Sequence, residues 1–442
     1  MAGDNGSDGS PLCPCSRAYS YVLPIAKANL VTDSPVAKQR ESFAPNGIRL
    51  LFIHAAIDHL SSEYKVHKTL AESATDYGIE SYFFWQRGAQ ATGDNTMIFP
   101  WPDRVRYIDF GRDFSITPTP RRQQRALMML RSLPSALRTV VKRVREIRPD
   151  LLYTSQQKYD VRLAHMISRL FRIPHVIHIH YIFGPWLGAD VQRTIQQCPN
   201  LIAVSEFIRQ NILLHEISPT AIRTIPNSIS PDVFRQRGNR TAMRAEFGWK
   251  PDAPVIIVAG RLDPIKGHLA LIEAFAVVLS RIPEARLLIC GRTLYRSNYP
   301  EFLRQRVADL DIQHAVVFAG HRYDLLDLMQ GADVFSLTSE MEPFGLVFLE
   351  AMAVGLPIVA YYSGAVAEIV INGVTGLLSY PDQPADLIDN LVRLLVDHSL
   401  AMHMGALGRE RAASTFASAV ITPRWANILH RIVDKTPVLI TT

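Results

Sequence analysis

Two carboxylates flank a turn in Ser339-Glu-Met-Glu-Pro-Phe-Gly-Leu-Val-Phe-Leu-Glu350, a segment that runs from a polar strand end into an apolar helix continuing toward Val354. Pro343 suits the first helical position, where its missing N–H costs nothing, so Glu342 is expected as the N-cap. The amides of Phe344, Gly345 and Leu346 then face outward and can bind an anion. Gly345 offers no side chain to obstruct a ligand, and the helix dipole adds roughly half a positive charge at that end. Glu342 and Glu350 are eight positions apart, which at about 1.5 Å per residue is a rise of roughly 12 Å. A glycosidase acid and nucleophile sit about 5 to 10 Å apart around one scissile bond. The spacing therefore suits two contacts along an extended ligand such as a sugar joined to a nucleoside, with Glu350 on ribose hydroxyls and Glu342 on the sugar. The bland alternative is a capping box from Ser339 to Glu342 with Glu350 merely solvated. It would put Pro343 at the fourth helical position and leave Glu350 on an apolar helix without a partner.

Gly260-Arg-Leu-Asp-Pro-Ile-Lys-Gly267 follows an apolar strand and precedes a helix. That places two cations, Arg261 and Lys266, at a strand's carboxyl end, where charge-assisted hydrogen bonds can hold a diphosphate and stabilise the charge that develops as it leaves. Viewed alone, the same residues could be an ordinary surface arginine and lysine. His180 ends a strand in the first half, with His178 on the same face. Either histidine could equally be a satisfied structural group.

The elements that must position these residues come in two series. Ile48–His54 is a buried-strand run, Tyr64–Tyr77 a helix and Ile79–Trp85 a second strand; Leu151–Thr154 and His175–His180 are strands around the helical stretch Val161–Phe171, and Leu201–Ser205 is another strand leading into a helix. The pattern starts over with strand Val255–Gly260, helix Leu269–Arg281, strand Ala285–Cys290, helix Phe302–Asp309, and strands Val316–Ala319 and Val334–Ser336. Strands alternating with helices imply parallel sheets covered on both faces, so the expected fold class is α/β, with two Rossmann-like doubly wound domains facing a central cleft. The expected division is a flexible extension over residues 1–45, a first Rossmann-like domain over 46–230, a second over 231–416, and a C-terminal helix in 417–442 packing back on the first domain.

The 442 residues, 48% hydrophobic and 20% charged, suit a globular chain of two domains and exclude a fibrous or disordered one. A net charge of +6 fits an anionic substrate, nucleic acid or an anionic membrane surface. Basic residues are not interleaved with aromatics along any strand face, which argues against nucleic acid. The stretch Leu127–Ile147, interrupted by Pro134, carries Arg131, Arg138, Lys142, Arg143 and Arg145, with Arg148 just beyond, around an apolar series; it fits either the solvated face of a surface helix or a helix lying on an anionic membrane. Cys13, Cys15, Cys198 and Cys290 have no zinc-finger spacing. No signal peptide or membrane span is expected, because Gly355, Pro357 and Gly364 break the longest apolar run. A cytoplasmic chain is the expected setting, with peripheral contact at the membrane's inner face as the alternative that the basic stretch leaves open.

In order and spacing these residues resemble the group 1, family 4 retaining glycosyltransferases of GT-B fold. The resemblance is carried by Glu342-Pro-Phe-Gly345 with Glu350 and by Gly260-Arg261 with Lys266-Gly267. It is extended by Ile173-Pro174 leading to His180, Ala203-Val-Ser205, Ile225-Pro-Asn227 before Phe234, Phe318-Ala-Gly320, Ala332-Asp333, and Asn372-Gly373 with Gly376-Leu377. It implies a donor cradle in which Arg261 and Lys266 hold the diphosphate, Glu350 the ribose, and Glu342 with the amides of Phe344, Gly345 and Leu346 surround the transferred sugar. It implies His180 near the sugar and acceptor, retention at the anomeric carbon, and no protein nucleophile, metal or cofactor; the lack of an Asp-x-Asp metal motif agrees. The implied partners are a nucleotide-sugar donor and a glycan or lipid-linked acceptor. One departure is that Ser61-Ser62, followed by Glu63, stands in place of the family's glycine pair in the first strand-to-helix loop, which implies a narrower or more polar acceptor pocket. A nucleotide-sugar epimerase, or a non-catalytic nucleotide-sugar binding protein, would keep the same fold and cleft. A Rossmann dehydrogenase is excluded by the missing Gly-x-Gly-x-x-Gly turn.

Overall fold

Runs of apolar residues too short for helices form the strands, and nearly all of them are buried on both faces, as parallel strands covered by helices must be. The computed structural model describes residues 47–54, 62–85, 105–109, 137–235, 238–293 and 297–436. The extension 1–45 with Cys13 and Cys15, Ser61, the leading part of the basic stretch before residue 137, and the last six residues lie outside the described residues.

The first sheet has seven strands: β1 Ile48–His54, β2 Ile79–Trp85, β3 Val105–Asp109, β4 Leu151–Ser155, β5 His175–Ile179, β6 Leu201–Ala203 and β7 Ile222–Thr224, in the order β3-β2-β1-β4-β5-β6-β7. The second has six: β8 Val255–Ala259, β9 Arg286–Cys290, β10 Val316–Gly320, β11 Val334–Leu337, β12 Ile358–Tyr361 and β13 Gly376–Ser379, in the order β10-β9-β8-β11-β12-β13. All pairings within the two sheets are parallel. In each sheet the order reverses beside the first strand, between β1 and β4 and between β8 and β11. In open α/β sheets that reversal opens a crevice beyond the carboxyl ends of the strands, where ligands bind.

Helix Ser62–Ala74 buries Glu63, Tyr64, Val66, His67, Leu70, Ala71 and Ala74. Positions 63, 67, 70, 71 and 74 recur at helical spacing and face the sheet. The helical residues 137–147 turn Val140, Val144 and Ile147 into a core shared with Leu51, Phe84 and Ile167. Over residues 138–147 the apolar side of the basic stretch is thus packed on the protein itself, and Arg138, Lys142, Arg143 and Arg145 form the outward face. No helix among the described residues is long and apolar enough to cross a membrane.

Between the sheets, Asn239 caps helix Arg240–Glu246 by accepting from the Ala242 amide at 2.9 Å. The wholly buried Arg244 of that helix donates to the carbonyls of Ala253 and Gly331 and to Asp333, whose carboxylate also takes the Val255 amide at 2.8 Å. Asp333 therefore fixes the start of β8, at the end of the strand remote from the ligand crevice. Helix Ser418–Val433 buries Trp425 against Phe52 and Tyr153 of the first sheet, and the Trp425 Nε1 donates to the Tyr153 hydroxyl at 3.1 Å.

Candidate active site

The loops after β8 and β11 are stitched into one surface. Asp263 caps the 3-10 turn Pro264–Lys266 by accepting from the Ile265 amide at 3.2 Å. Thr338 donates its hydroxyl to the Gly267 carbonyl at 2.7 Å, and the Glu340 amide donates to the Ile265 carbonyl at 3.0 Å. Gly267, at φ 71°, lies so close to the neighbouring loop that a Cβ there would stand 1.8 Å from the Thr338 carbonyl oxygen. Only glycine permits both the left-handed conformation and that approach.

This stitching brings Lys266 Nζ to 2.7 Å from Glu342 Oε2, with the side chains 20% and 5% exposed. Ser339 donates to the same carboxylate oxygen at 3.1 Å. The Ala365 amide holds the Glu342 carbonyl at 2.8 Å. Gly364, at φ 56°, leaves room for the Glu342 backbone, which a Cβ there would meet at 2.3 Å. Arg261 lies on the same loop beside Asp263, its Nη2 3.8 Å from Oδ2.

One expectation is corrected here. Glu342 is not the N-cap and Pro343 is not the first helical residue: the helix is Leu346–Ala353 and its N-cap is Gly345, at φ 93°. The reason is steric. A left-handed residue is needed to turn the chain into the helix, and a Cβ at that position would meet the Phe348 ring at 2.5 Å. The helix's leading free amides consequently begin at Leu346, with Phe344 buried before the turn. Ser339 does not cap the helix either, since its hydroxyl serves Glu342. Glu342 is released from capping and meets Lys266 instead.

Glu350 has its partner across the crevice: Lys65 Nζ from helix Ser62–Ala74 is 3.6 Å from Oε1. Two further contacts join the halves. Ser205, at the end of the β6 segment, caps helix Glu206–Leu213 by accepting from the Ile208 amide and donates its hydroxyl to the Pro343 carbonyl at 2.6 Å. The first amides of that helix, on Glu206 and Phe207, donate to the Glu368 carboxylate at 2.8 and 2.7 Å. A carboxylate at a helix N-terminus is favoured by both the free amides and the dipole.

His180 follows β5, and its amide is held by Gln156 Oε1 at 2.6 Å. Its ring turns into a buried cluster. His180 Nε2 and His178 Nδ1 lie 3.2 and 3.3 Å from His67 Nε2, while His67 Nδ1 is 2.8 Å from His54 Nε2. Tyr153 OH is 3.0 Å from His178 Nδ1. Burial pushes His54 and His178 down to about 3 and holds His67 and His180 well below the usual histidine range, so all four rings are neutral near pH 7. Beside them the Glu63 carboxyl, pushed up to about 7 by burial, receives Gln157 Nε2 at 3.2 Å on both oxygens. Ser62 is exposed at the helix start and Glu63 points inward. Gln157 thereby holds the residue that follows Ser62.

Such a surface can neutralise a polyanion near Lys266, Arg261 and the amino end of the 346–353 helix, with His180 the least buried of the uncharged rings at the edge of the opposite sheet. Two family models match the chain, one described as "Glycosyl transferases group 1" over residues 239–411 and one as "Glycosyltransferase Family 4" over residues 68–233. N-acetyl-alpha-D-glucosaminyl L-malate synthase of Bacillus anthracis is 30% identical over 271 residues, covering 59% of this chain and 68% of the relative. The chain is a group 1 glycosyltransferase of family 4.

Another relative of this glycosyltransferase, the alpha-maltose-1-phosphate synthase of Mycobacterium tuberculosis, is 28% identical over 62% of this chain and 77% of its own length. The Anabaena protein HepE in complex with UDP and glucose superposes with a TM-score of 0.71 at 22% identity, over 86% of this chain and 99% of that one. Sucrose-phosphate synthase from Thermosynechococcus elongatus gives 0.71 at 20%, over 88% and 100%. The fold of the glycosyltransferase is therefore GT-B. The geometry joins Lys266, Glu342 and Gly345 directly. It places Arg261 on the same loop, and it ties Glu350 to His180 through the helix that carries Lys65 and His67. Lys65, His67 and His54 are absent from the sequence-based set. An isolated lysine or histidine carries no local signal, and only the packing of helix Ser62–Ala74 against the carboxyl ends of β1 and β5 shows their place.

Proposed function

We propose that this glycosyltransferase moves a sugar from a nucleoside-diphosphate sugar to an acceptor hydroxyl with retention of anomeric configuration and without a metal ion on the diphosphate. The observation that carries the reading is the Lys266–Glu342 pair at 2.7 Å beside the amino end of helix Leu346–Ala353. A cation and free helix amides in one place stabilise the charge growing on a departing pyrophosphate, which is otherwise the task of a divalent metal. In this reading Arg261 and Lys266 bind the two phosphates. Glu342 accepts a sugar hydroxyl while keeping Lys266 oriented, the leading amides of helix Leu346–Ala353 line the sugar and phosphate, and Glu350 takes the ribose hydroxyls, exchanging Lys65 for them.

His180, neutral and at a strand end, serves as a polar contact for the sugar or acceptor. The leaving phosphate oxygen takes the acceptor's proton, so no carboxylate nucleophile is needed. UDP-glucose is the first donor to test, because a fold relative binds it. The basic face of residues 138–145 is free to meet an anionic membrane carrying a lipid-linked acceptor. The deciding experiment is proton NMR of the product formed from UDP-glucose, or from whichever of the UDP, GDP and ADP sugars shifts the melting temperature. An α-linked product from an α-donor, formed equally well in EDTA, supports the reading; a β-linked product or loss of transfer in EDTA overturns it. Donor hydrolysis or epimerisation with no transfer to any acceptor would favour the epimerase alternative.

A further inference from the structure

The loop that leaves β5 is held by side chains along most of its length. Gln156 accepts from the amides of His180 and Tyr181 and donates to the Tyr181 carbonyl. Asn211 accepts from the Phe183 amide at 2.8 Å, and Gln192 donates to the Gly184 carbonyl at 2.7 Å. Arg162 and Asp190 clamp the start of the next helix, Ala189–Gln196, to helix Lys158–Phe171 through two hydrogen bonds of 2.6 and 3.0 Å. What this fastened loop exposes is aromatic. Trp186 stands near its tip with 43% of its surface open, and the Tyr181 ring lies 6.5 Å from it at an interplanar angle of 86°. Tyr159, one turn ahead of Arg162, is 50% exposed where its helix leaves the carboxyl edge of β4.

A large apolar side chain exposed singly needs no explanation. Trp186 differs in how it is held: its indole Nε1 donates to the Ile182 carbonyl at 2.9 Å. The ring's donor is consumed within the loop, so a ligand meets the indole as a π-face in a fixed orientation. Such a face is negative and attracts polarised C–H groups, of which a pyranose ring presents several on one side. Because the loop is already ordered, little entropy is lost when a ligand stacks on it. A carboxylate or phosphate gains nothing comparable, since Arg162, the cation that fastens this rim, is neutralised by Asp190. The same neutralisation disfavours an anionic lipid surface as the occupant.

We propose that Tyr181 and Trp186 form a stacking platform for a pyranose ring of the acceptor. Tyr181 directly follows His180, so the platform continues the edge at which the reacting sugar is placed. That the stacked pyranoside is the acceptor rests on the transfer reaction proposed above; the platform narrows that acceptor from any hydroxyl compound to a pyranoside. Trp186 is then a determinant of acceptor choice and not of donor binding.

The test uses the full chain and, as probes, the methyl pyranosides of glucose, galactose, mannose and N-acetylglucosamine, with D-glucitol as an acyclic control. Saturation-transfer NMR reads binding without requiring turnover. At least one pyranoside should receive saturation on the ring protons of one face, and glucitol should not. Trp186→Phe should keep the signal, whereas Trp186→Ala and Trp186→Leu should lose it; removing an exposed ring leaves no core cavity, so the melting temperature should stay close to that of the unaltered chain. Where a pyranoside is glycosylated, Trp186→Ala should raise its KM by about 3- to 10-fold, with affinity for the nucleoside diphosphate unchanged by calorimetry. The proposal is overturned if no pyranoside is saturated, if glucitol is saturated equally, if Trp186→Ala retains the signal, or if that variant loses nucleoside diphosphate affinity to the same extent. Loss of binding to phosphatidylglycerol vesicles in Trp186→Ala, with pyranoside saturation retained, would overturn it in favour of a membrane contact. Transfer to a hydroxyl compound without a pyranose, when no pyranoside binds, would overturn the platform and leave the reaction standing; pyranoside stacking without transfer to any acceptor would count against the reaction and not against the platform.

Discussion

Beyond β8 and β11 a lysine and a glutamate meet as an ion pair 2.7 Å apart, whereas around the ends of β1 and β5 four histidines meet as uncharged rings. Both groups occupy the carboxyl edge of a doubly wound sheet, beside a point where strand order reverses. The second half keeps its charges because they are paired and held by backbone contacts that only glycines allow, at Gly267, Gly345 and Gly364. The first half buries polar groups deeply enough to strip their charge. In the proposed reading the charged edge takes the donor phosphates and the neutral edge the reacting sugar.

The comparison breaks most decisively at Lys266. Lys266→Ala removes a cation and leaves the nearly buried Glu342 carboxylate unpaired. Turnover should fall by about 10²- to 10³-fold, and affinity for the cognate nucleoside diphosphate by about 10- to 100-fold, measured by steady-state kinetics and calorimetry. Unchanged affinity would remove the donor-side assignment. Gly267→Ala attacks the same edge through the backbone. With φ positive and a Cβ 1.8 Å from the Thr338 oxygen, a loss of about 3 kcal/mol is expected, or a fall in melting temperature of roughly 6 to 12 °C. The matching change at Gly248, where a Cβ meets nothing within 4 Å, should cost much less.

Titration sharpens the other side of the contrast. In the unfolded chain His54 and His178 take up protons near 6.5, but in the folded chain only near 3. Their contribution to stability is therefore present above about pH 6.5 and is lost as pH falls toward 3. Glu63 acts in the opposite sense. Unfolded, it loses its proton near 4.5, and folded only near 7, so its contribution is present below 4.5 and is lost as pH rises through 7. Melting temperature should drop between pH 7 and pH 5 in the unaltered chain. Glu63→Gln should be stabilised relative to it at pH 8 and not at pH 4.5. A melting temperature independent of pH over this range would contradict the buried, neutral cluster.

The smallest expected effect is at the bridge between the two edges. Lys65 is largely exposed and 3.6 Å from Glu350, so Lys65→Ala should change stability by less than about 1 kcal/mol. Glu350→Gln should change stability as little yet weaken nucleoside binding, since the proposed ribose contact is lost. Equal nucleoside affinity in Glu350→Gln and the unaltered chain, by calorimetry, would separate Glu350 from the donor.

The repeated strand and helix pattern was legible because parallel strands buried on both faces leave uninterrupted apolar runs, such as those of β1, β8 and β9. The strands Val105–Asp109, Ile222–Thr224 and Gly376–Ser379 were not. The last two have only three or four residues, and all three gain their pairing from neighbours already in place. Helix Ser62–Ala74 was legible as an element, yet its start was displaced, because Glu63 is buried on the strength of a hydrogen bond from Gln157, 94 positions away.

What the chain determined locally is the chemistry on offer: a Gly-Arg…Lys-Gly turn after an apolar strand, a Glu-Pro-Phe-Gly turn before a helix, and histidines at alternate positions of one strand. Their types and spacing follow from short-range geometry, so residue order alone carries them. Tertiary structure decided which groups meet. It took Glu342 from a helix cap to Lys266, gave Glu350 a lysine from the other half, and gathered His54, His67, His178 and His180 into one point. Contacts between residues 76, 285 and 113 positions apart depend on sheet order and side-chain packing, and no local rule of sequence contains them.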